Sequence, residues 1–226
     1  MEITPVAYIR TEFAEKFGIP RQSGLAGELK GKIVFEPEYR NPEALRGLDG
    51  FSHLWLIWEF SANRGGRQWQ PTVRPPRLGG NQHMGVFATR SPFRPNPLGL
   101  SCVELESVQL DSPDGPVILV RGADLMDGTP IYDIKPYIRY ADSHPDAVCG
   151  YVDALPERCV KVVMSDELAA KVSDPEALVE VLALDPRPSY HADPQREYGM
   201  SFSGYNVKFR VDDQQQEPTL YVIDIS

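Results

Sequence analysis

The stretch LSCVELESVQLDSPDGPVILVRG, residues 100–122, says most about the fold of this 226-residue chain. Two runs rich in aliphatic residues, 100–110 and 116–122, flank the sequence DSPDG. Asp, Ser, Pro and Gly in that order favour a tight turn, because they accept the backbone angles that a chain reversal requires. The pattern therefore predicts a β-hairpin.

Other strands are predicted on both sides of this hairpin. The run FSHLWLIWEF, residues 51–60, is aromatic and nearly continuous, which predicts a strand buried on both faces or at a packed interface. The remaining predicted strands cover 3–10, 28–35, 83–89 and 131–140. Short strands separated by turns, with few helical patterns between them, favour a mainly β barrel or sandwich over a doubly wound Rossmann sheet.

The sequence pattern changes after about residue 155. Ser165 and Ser173 are each predicted to cap a short helix, and 207–211 with 220–225 are predicted to form a hairpin. We therefore predict two domains. A β domain covers 1–155, and a small α+β C-terminal domain covers 156–226.

The composition indicates the compartment, the membrane association and the metal binding that we expect of the protein. The chain is 42% hydrophobic, which is enough for a sizeable core, and its apolar runs fall short of the roughly 18 to 20 residues that a membrane helix needs. Three widely spaced cysteines argue against a disulfide framework, and the histidines show no metal-ligand spacing. We expect a cytoplasmic protein with no membrane association and no metal.

Charge is unevenly distributed. The net charge is −9, yet residues 60–103 contain no Asp or Glu and six arginines: Arg64, Arg67, Arg74, Arg77, Arg90 and Arg94. A basic segment on an acidic body suits an anionic partner, although a solvated arginine-rich loop would have the same composition. Charge alone leaves both interpretations open.

Three stretches could carry chemistry. GVFATRSPFRPNPLGLS, residues 85–101, combines rigid prolines with Arg90 and Arg94, which could bind a carboxylate or phosphate or form a structural salt bridge. LMDGTPIYDIKPYIRY, residues 125–140, contains a tight turn and then Asp133 and Lys135 on one strand face, as a proton-transfer pair or an ion pair. GIPRQSGL, residues 18–25, is a polar cluster suited to purine or carboxylate binding, or an ordinary surface turn.

The order FGIPRQSGL, FSHLWLIWEF, GVFATRSPFRPNPLGLS and DGTPIYDIKPY resembles the TrmO-like (YaeB) tRNA methyltransferase family. DPRPSY and YGMSFSGYNVKF are similar to the additional domain of the bacterial members. The resemblance implies a single-sheet β-barrel, a homodimer and S-adenosyl-L-methionine as cofactor. It also implies N6-methylation of threonylcarbamoyladenosine at position 37, in the tRNA anticodon stem-loop.

The resemblance also implies site residues. Those expected to contact the cofactor are Pro20, Arg21, Gln22, Arg90, Leu100, Asp127, Gly128, Thr129 and Pro130. Asp133 is the first candidate for the catalytic base and Tyr137 the second, while Lys135 would stabilise charge on the carbamoyl oxygen or hold Asp133 in place. Those expected to bind tRNA are Arg64, Arg67, Arg74 and Arg77, with Trp69 supplying an aromatic surface.

Two other functions fit the same residues. One is a β-barrel that binds S-adenosylmethionine and methylates a small molecule, which the acidic body favours. The other is a non-catalytic RNA-binding module. The basic segment and the complete set of motifs favour the tRNA methyltransferase.

Overall fold

A computed structural model describes residues 2–63, 69–80, 82–155, 159–188, 193 and 195–226. In these ranges the strands are β1 (Ala7–Arg10), β2 (Lys30–Phe35), β3 (His53–Glu59), β4 (Thr72–Val73), β5 (Met84–Gly85), β6 (Leu98–Ser112), β7 (Gly115–Arg121), β8 (Pro130–Pro136), β9 (Lys161–Val163), β10 (Tyr198–Phe202), β11 (Tyr205–Asp212) and β12 (Thr219–Ile225). The α-helices are α1 (Arg139–Asp142), α2 (Asp166–Ala169) and α3 (Pro175–Ala183).

Six of these strands close into a barrel in the order β1-β2-β7-β6-β3-β8, with β8 pairing back to β1. Every neighbouring pair is antiparallel. The predicted hairpin is confirmed as β6 and β7, which are joined through the turn at Asp114. Closure gives each strand two hydrogen-bonded neighbours and so removes exposed sheet edges.

The antiparallel register brings three long loops to one end of the barrel. Strands β1, β3 and β7 end there, while β2, β6 and β8 begin there. We call the joining segments the first connection (11–29), the second connection (60–97) and the third connection (122–129). All three candidate stretches lie on or beside these connections, and loops at a barrel mouth commonly carry binding sites.

The barrel interior is filled by alternate side chains of each strand. On β3, Leu54, Leu56 and Trp58 are buried, whereas Trp55 and Ile57 are half-buried on the outer face. The expectation of a strand buried on both faces is therefore only partly right. In a single-layer barrel, only the inward face of a strand is enclosed by the other strands.

The C-terminal part is a four-stranded sheet in the order β10-β11-β12-β9, with β9 parallel to β12. The predicted hairpin is confirmed as β11 and β12, and α3 packs its apolar face on the sheet. Ser165 caps α2 as predicted. The cap of α3 is Asp174 rather than Ser173, because the Asp174 carboxylate accepts the amide of Ala177 at 3.1 Å.

The first connection belongs to the core of this C-terminal sheet. Phe13, Ala26 and Leu29 are buried together with Met200 and Phe202. The rings of Phe13 and Phe202 meet edge to face, with centroids 5.8 Å apart. The core of the C-terminal sheet is therefore discontinuous in sequence, because it takes in residues of the first connection.

The fold class predicted from sequence, mainly β with a barrel and a small α+β C-terminal part, is confirmed. The strand predicted over 83–89 is wrong in most of its length, since only Met84–Gly85 pairs, and Val86–Ala88 forms a 3₁₀ turn. None of the helices in the described ranges is long and apolar enough to span a membrane.

Candidate active site

The segment containing Pro20, Arg21 and Gln22 lies beside the start of β6. The Cys102 amide donates to Ser23 Oγ at 3.1 Å, and the Gly24 amide donates to the Gly122 carbonyl at 2.9 Å. Strand β7 ends at Arg121, which pairs with Glu104 of β6. Beyond Arg121, β7 no longer pairs with β6. At the barrel mouth the first connection therefore lies next to β6 in place of β7.

The first and second connections meet through a direct contact. The guanidinium of Arg90 donates a hydrogen bond to Oε1 of Gln22. All of β2 to β5 lies between these two residues in sequence, and both are predicted to bind the same ligand. The contact brings two of the three predicted stretches together.

Arg94 has a different role from Arg90. Its guanidinium donates to the carbonyls of Thr89 at 2.9 Å and Ser91 at 3.2 Å. These bonds hold the turn in which Arg94 itself lies. The expectation that Arg90 and Arg94 grip one anion together is therefore not supported by their contacts.

A polar network that sequence reasoning missed lies below these residues. The Trp58 indole donates to Ser101 Oγ at 2.9 Å, and the Ser101 hydroxyl donates to the Asp124 carboxylate at 2.5 Å. Burial raises the pKa of Asp124, an effect that outweighs the opposing influence of the Ser101 hydrogen bond and the Arg90 charge.

Gly99 allows this network to form. It pairs with Trp58 across β3 and β6, and a Cβ at Gly99 would lie 2.3 Å from the indole ring. Any side chain there would displace the indole from Ser101. One sequence signal was available: strand alternation places Ser101 on the same inward face as Gly99 and Val103, where a hydroxyl needs a partner.

The third connection ends in the predicted tight turn. The Thr129 amide donates a hydrogen bond to the Met126 carbonyl at 3.2 Å. Gly128 has φ +73°, a backbone angle that favours glycine. The Asp127 carboxylate accepts the Thr11 amide at 3.1 Å and pairs with Arg10 at 3.5 Å. These contacts place the turn on the β1 side of the mouth, while Gln22 and Arg90 lie on the β6 side.

Leu100 and Asp133 share the outer face of the barrel near the mouth. Leu100 pairs with Ile57, which pairs in turn with Asp133, so three adjacent strands carry this row. Neighbouring strands lie about 4.8 Å apart, so the Leu100 and Asp133 backbones are separated by roughly 10 Å. Leu100 is 54% exposed, an unusual state for a leucine on a barrel strand.

Asp133 and Lys135 form an ion pair, one of the two arrangements that their spacing leaves open. Lys135 Nζ lies 2.9 Å from the Asp133 carboxylate, with side chains 63% and 46% exposed. Tyr137 lies farther from the mouth, with its ring against Trp55 and His53 at centroid distances of 6.0 and 6.1 Å. The structure brings Asp133 and Lys135 together, whereas Tyr137 lies just past the end of β8.

The second connection is an exposed, basic and aromatic surface. Arg74 donates to the His83 ring at 3.0 Å, and both Arg74 and Arg77 are exposed. Phe87 is 75% exposed and Trp69 is also exposed. Arg64 and Arg67, also predicted to bind tRNA, lie outside the described residues.

Among the cavities of the described ranges, a larger and a smaller one border the first connection. The larger, about 490 Å³, lies between the outer barrel face and the β10–β11 turn and is lined by charged side chains, among them Arg10, Lys32 and Glu12. The smaller, about 130 Å³, lies between Pro20–Arg21 and the residues that follow α3. Within the described part of the chain, no cluster of His, Cys, Asp and Glu could hold a metal ion.

Comparison with known families agrees with this geometry. The family model of the tRNA-methyltransferase O N-terminal domain matches residues 8–143, and that of the TrmO C-terminal domain matches residues 157–226. The chain belongs to the TrmO family. The barrel with its mouth, and the C-terminal sheet, thus correspond to the two parts by which this family is defined.

Individual TrmO relatives are similar over nearly their whole length. The Escherichia coli tRNA (adenine(37)-N6)-methyltransferase is 42% identical over 218 residues, covering 92% of each chain. A Pseudomonas aeruginosa relative, 40% identical over 88% of this chain and 87% of its own, carries the name of an S-adenosylmethionine-dependent methyltransferase. The crystal structure of TrmO from Pseudomonas aeruginosa superposes with a TM-score of 0.79 at 33% identity, covering 100% of this chain and 98% of that one.

Proposed function

We propose that this protein transfers a methyl group from S-adenosyl-L-methionine to N6 of adenine 37 in tRNA. We further propose that the adenine carries a threonylcarbamoyl group and is read in the anticodon stem-loop. The observation that carries the proposal is the contact between Gln22 and Arg90 at a barrel mouth formed by three connections. The Escherichia coli relative, whose name states methylation of tRNA at N6 of adenine 37, supports the choice of tRNA and of that nitrogen.

The residues at the mouth fit the chemistry of the cofactor. S-adenosylmethionine has a carboxylate, an adenine and a positively charged sulfur. Arg90 offers a guanidinium for a carboxylate, Gln22 an amide for a base edge, and Leu100 an exposed apolar surface. We assign cofactor binding to these three and to Pro20, Arg21, Asp127, Gly128, Thr129 and Pro130. When bound, the cofactor supplies an electrophilic methyl group.

Asp133 is our candidate for the group that accepts the N6 proton. The nitrogen of a carbamoylated adenine is a poor nucleophile, so removing its proton should assist the transfer. The Asp133 carboxylate is exposed near the mouth and its orientation is fixed by Lys135 at 2.9 Å. The Lys135 ammonium is also suited to stabilise negative charge on the carbamoyl oxygen. Tyr137 is the second candidate.

The second connection is our candidate for the tRNA-binding surface. An anticodon loop presents phosphates and unstacked bases, which bind Arg and aromatic side chains. Arg74, Arg77 and Trp69 are exposed here, and the segment contains no acidic residue that would repel phosphate. Arg64 and Arg67 belong to the same proposed surface by sequence.

Methylation of total tRNA tests the function directly. Protein would be incubated with labelled S-adenosylmethionine and tRNA from a strain that lacks the protein, followed by nuclease digestion and mass spectrometry. We expect label in N6-methylated threonylcarbamoyladenosine, and much less label in tRNA prepared without the threonylcarbamoyl group. Cofactor binding without labelled tRNA would favour a small-molecule methyltransferase. Neither binding nor label would favour a non-catalytic RNA-binding module.

Charge removal tests the tRNA surface. Glutamine at Arg67, Arg74 and Arg77 should weaken tRNA binding and flatten its dependence on salt, while the affinity for S-adenosylmethionine stays unchanged. Arg46→Gln is the control, since Arg46 is an exposed arginine paired with Glu43 at the opposite end of the barrel. Equal tRNA affinity in the triple variant and the wild type would reject this surface.

We also propose that the protein is a cytoplasmic homodimer divided into a barrel domain (1–155) and a C-terminal domain (156–226). Exposed Phe93, Leu98 and Leu100 near the mouth support a subunit contact, because adjacent exposed apolar side chains often mark an interface. Light scattering at several concentrations tests this, and a mass of one chain throughout would reject the dimer.

A further inference from the structure

A short hairpin in the second connection places an arginine directly opposite a histidine. The ladder between β4 and β5 ends at the pair Val73 and Met84. The next cross-strand position holds Arg74 and His83. Arg74 Nε donates a hydrogen bond to His83 Nε2 at 3.0 Å, and His83 Nδ1 lies 3.3 Å from Thr72 Oγ1. All three polar side chains are exposed, so this hairpin presents them to solvent together.

These two contacts define the protonation state of the His83 ring. Because an arginine side chain only donates, Nε2 must offer a lone pair, and the ring is neutral with its proton on Nδ1. Nδ1–H then donates to the Thr72 hydroxyl. A protonated ring would have no lone pair for Arg74 and would add a second positive charge beside it. Protonation of His83 therefore breaks this bond and releases the Nε–H group of Arg74.

The charge of Arg74 is oriented by His83 but is not neutralised. Among the described residues, no side chain accepts a hydrogen bond from its two Nη atoms, and no carboxylate forms an ion pair with it. Residues 60–103 contain no Asp or Glu, so its own connection supplies no acidic partner. A guanidinium beside an imidazolium offers N–H groups from two side chains to one anion. The pair thus suits a phosphate group.

We propose that Arg74 and His83 form a binding site for a phosphate of the tRNA backbone, and that His83 takes up a proton when the site is occupied. This rests on the proposed function, in which tRNA supplies the phosphodiester. The phosphate oxygens accept the Nε–H and Nη–H groups of Arg74 and a new Nε2–H group of His83. One proton from solvent forms the Nε2–H bond, Nδ1–H stays on Thr72, and the phosphodiester itself is unchanged.

The sign of the pH dependence follows from this proton. The charged group bonded to the ring is Arg74, and its other partner is the neutral Thr72 hydroxyl; within the described ranges, no charged side chain of another element bonds it. Histidine side chains change charge between about pH 5 and 8, whereas phosphodiesters do not. Because the bound state holds one more proton, tRNA affinity should rise about three- to ten-fold between roughly pH 7.5 and 6.

Isothermal titration calorimetry measures this proton directly. tRNA without the N6-methyl group would be titrated into the protein near neutral pH, in two buffers that differ in ionisation enthalpy. The difference in heat gives the number of protons taken up per tRNA bound. We expect the wild type to take up about half a proton more than His83→Gln, whose side chain does not titrate. His83→Arg should bind tRNA at least as tightly as the wild type, with an affinity that changes less with pH.

His53→Gln is the matched control. His53 is also exposed and its Nδ1 lies 2.9 Å from a hydroxyl, that of Ser52, but it begins β3 at the end of the barrel away from the mouth. Its proton uptake should equal that of the wild type. Because the substituted side chains are exposed, all variants should melt close to the wild-type temperature. Equal uptake in the wild type and His83→Gln, or an equal loss in both glutamine variants, would overturn the proposal.

Inorganic phosphate distinguishes the two sources of the anion. Titrated alone, it should bind at least about a hundred-fold more weakly than tRNA, since a nucleic acid backbone adds many other phosphate contacts. Inorganic phosphate that binds as tightly as tRNA and competes with it only at His83 would overturn the assignment to RNA.

The phosphate site and the proposed function fail in different ways. Normal methylation with proton uptake that does not depend on His83 would overturn the phosphate site alone. Proton uptake that depends on His83, in a protein that binds tRNA but does not methylate it, would support the phosphate site and overturn the proposed reaction. A wild-type protein that binds no tRNA would overturn both.

Discussion

The first and second connections both reach the candidate active site, yet they are held in different ways. The first connection places Phe13, Ala26 and Leu29 in the core of the C-terminal sheet. The second connection leaves Trp69 and Phe87 exposed. A rigid segment suits a small cofactor that needs fixed contacts, whereas an exposed one suits a large RNA whose shape it must follow.

Polar contacts follow the same division. In the first connection, the Glu12 carbonyl accepts a hydrogen bond from the Ser203 amide at 2.8 Å. The Glu28 amide donates to the Glu180 carboxylate of α3 at 2.9 Å. In the second connection, the bonds of Arg94 and Arg74 stay within the connection itself, and Arg90 bonds Gln22 of the first connection. We therefore expect the C-terminal domain to stabilise the first connection and to leave the second almost unaffected.

The largest expected effect comes from Arg187. This guanidinium is 3% exposed and pairs with Asp185 at 2.8 Å and Asp213 at 2.6 Å. Removing one partner of a buried ion pair leaves an uncompensated charge, so Arg187→Ala should lower the free energy of unfolding by roughly 3–5 kcal/mol, measured by urea denaturation.

The same variant tests the difference between the connections. Asp185 borders the small cavity beside Pro20 and Arg21, so hydrogen exchange should accelerate in 13–29 and stay the same in 69–80 and 82–97. Equal acceleration in both connections would contradict the anchoring of the first one. Arg46→Ala, which breaks an exposed pair with Glu43, is the control and should change neither.

The next effect separates packing from backbone strain within the first connection. Gly18 and Gly24 both have positive φ, +95° and +78°, but a Cβ at Gly18 would lie 2.1 Å from Met200 Sδ, whereas Gly24 faces open space. Gly24→Ala should cost about 1–2 kcal/mol of unfolding free energy from strain alone. Gly18→Ala should cost about 1–3 kcal/mol more, since Met200 must move.

Calorimetry and denaturation on the two glycine variants provide the check. Cofactor affinity should fall in Gly18→Ala, because the displaced segment leads directly into Pro20. Equal costs in the two variants would mean that Met200 does not hold the first connection.

A smaller effect on stability is expected in the second connection. Because Phe87 is 75% exposed, Phe87→Ser should change the free energy of unfolding by no more than about 0.5 kcal/mol. Its tRNA affinity should fall, as stacking on an aromatic ring is lost. Unchanged tRNA affinity in a filter-binding assay would remove Phe87 from the proposed surface.

The smallest effect is a pH dependence at the junction of barrel and C-terminal domain. Burial of Asp174 tends to raise its pKa, but the hydrogen bond from Lys30 and the amide of Ala177 leave that pKa lowered. A lowered folded-state pKa stabilises the protein above the unfolded-state pKa, and this contribution is lost as the pH falls through the folded-state value. Asp174→Asn, which can still cap α3, should therefore flatten the acid side of a melting-temperature profile slightly.

Local sequence patterns predicted the turns, hairpins and ion pairs that depend only on residues close together in the sequence. The β6–β7 hairpin follows from the turn residues of DSPDG, the Asp127–Thr129 turn from its glycine, and the Asp133–Lys135 pair from strand alternation. These features need no knowledge of the distant chain. They account for the β6–β7 hairpin and for one of the three stretches at the mouth, residues 125–140.

Contacts that depend on strand register or on distant segments were not predictable in the same way. The Trp58–Ser101–Asp124 network exists because β3 and β6 pair with Trp58 opposite Gly99 and because the barrel closes. An isolated aspartate after a strand has no pattern that marks it. The burial of Phe13 against Phe202 likewise requires the C-terminal sheet to be formed first.

That last contact has a consequence for synthesis of the protein on the ribosome. Phe13 leaves the ribosome long before its partners in β10 to β12. The barrel strands can pair earlier, since the β6–β7 hairpin and the β3 neighbours are already present. The loop that carries Pro20–Gln22 then stays partly exposed until β10 to β12 have been synthesised, so a product that stops before β10 would have a barrel but an unfinished mouth.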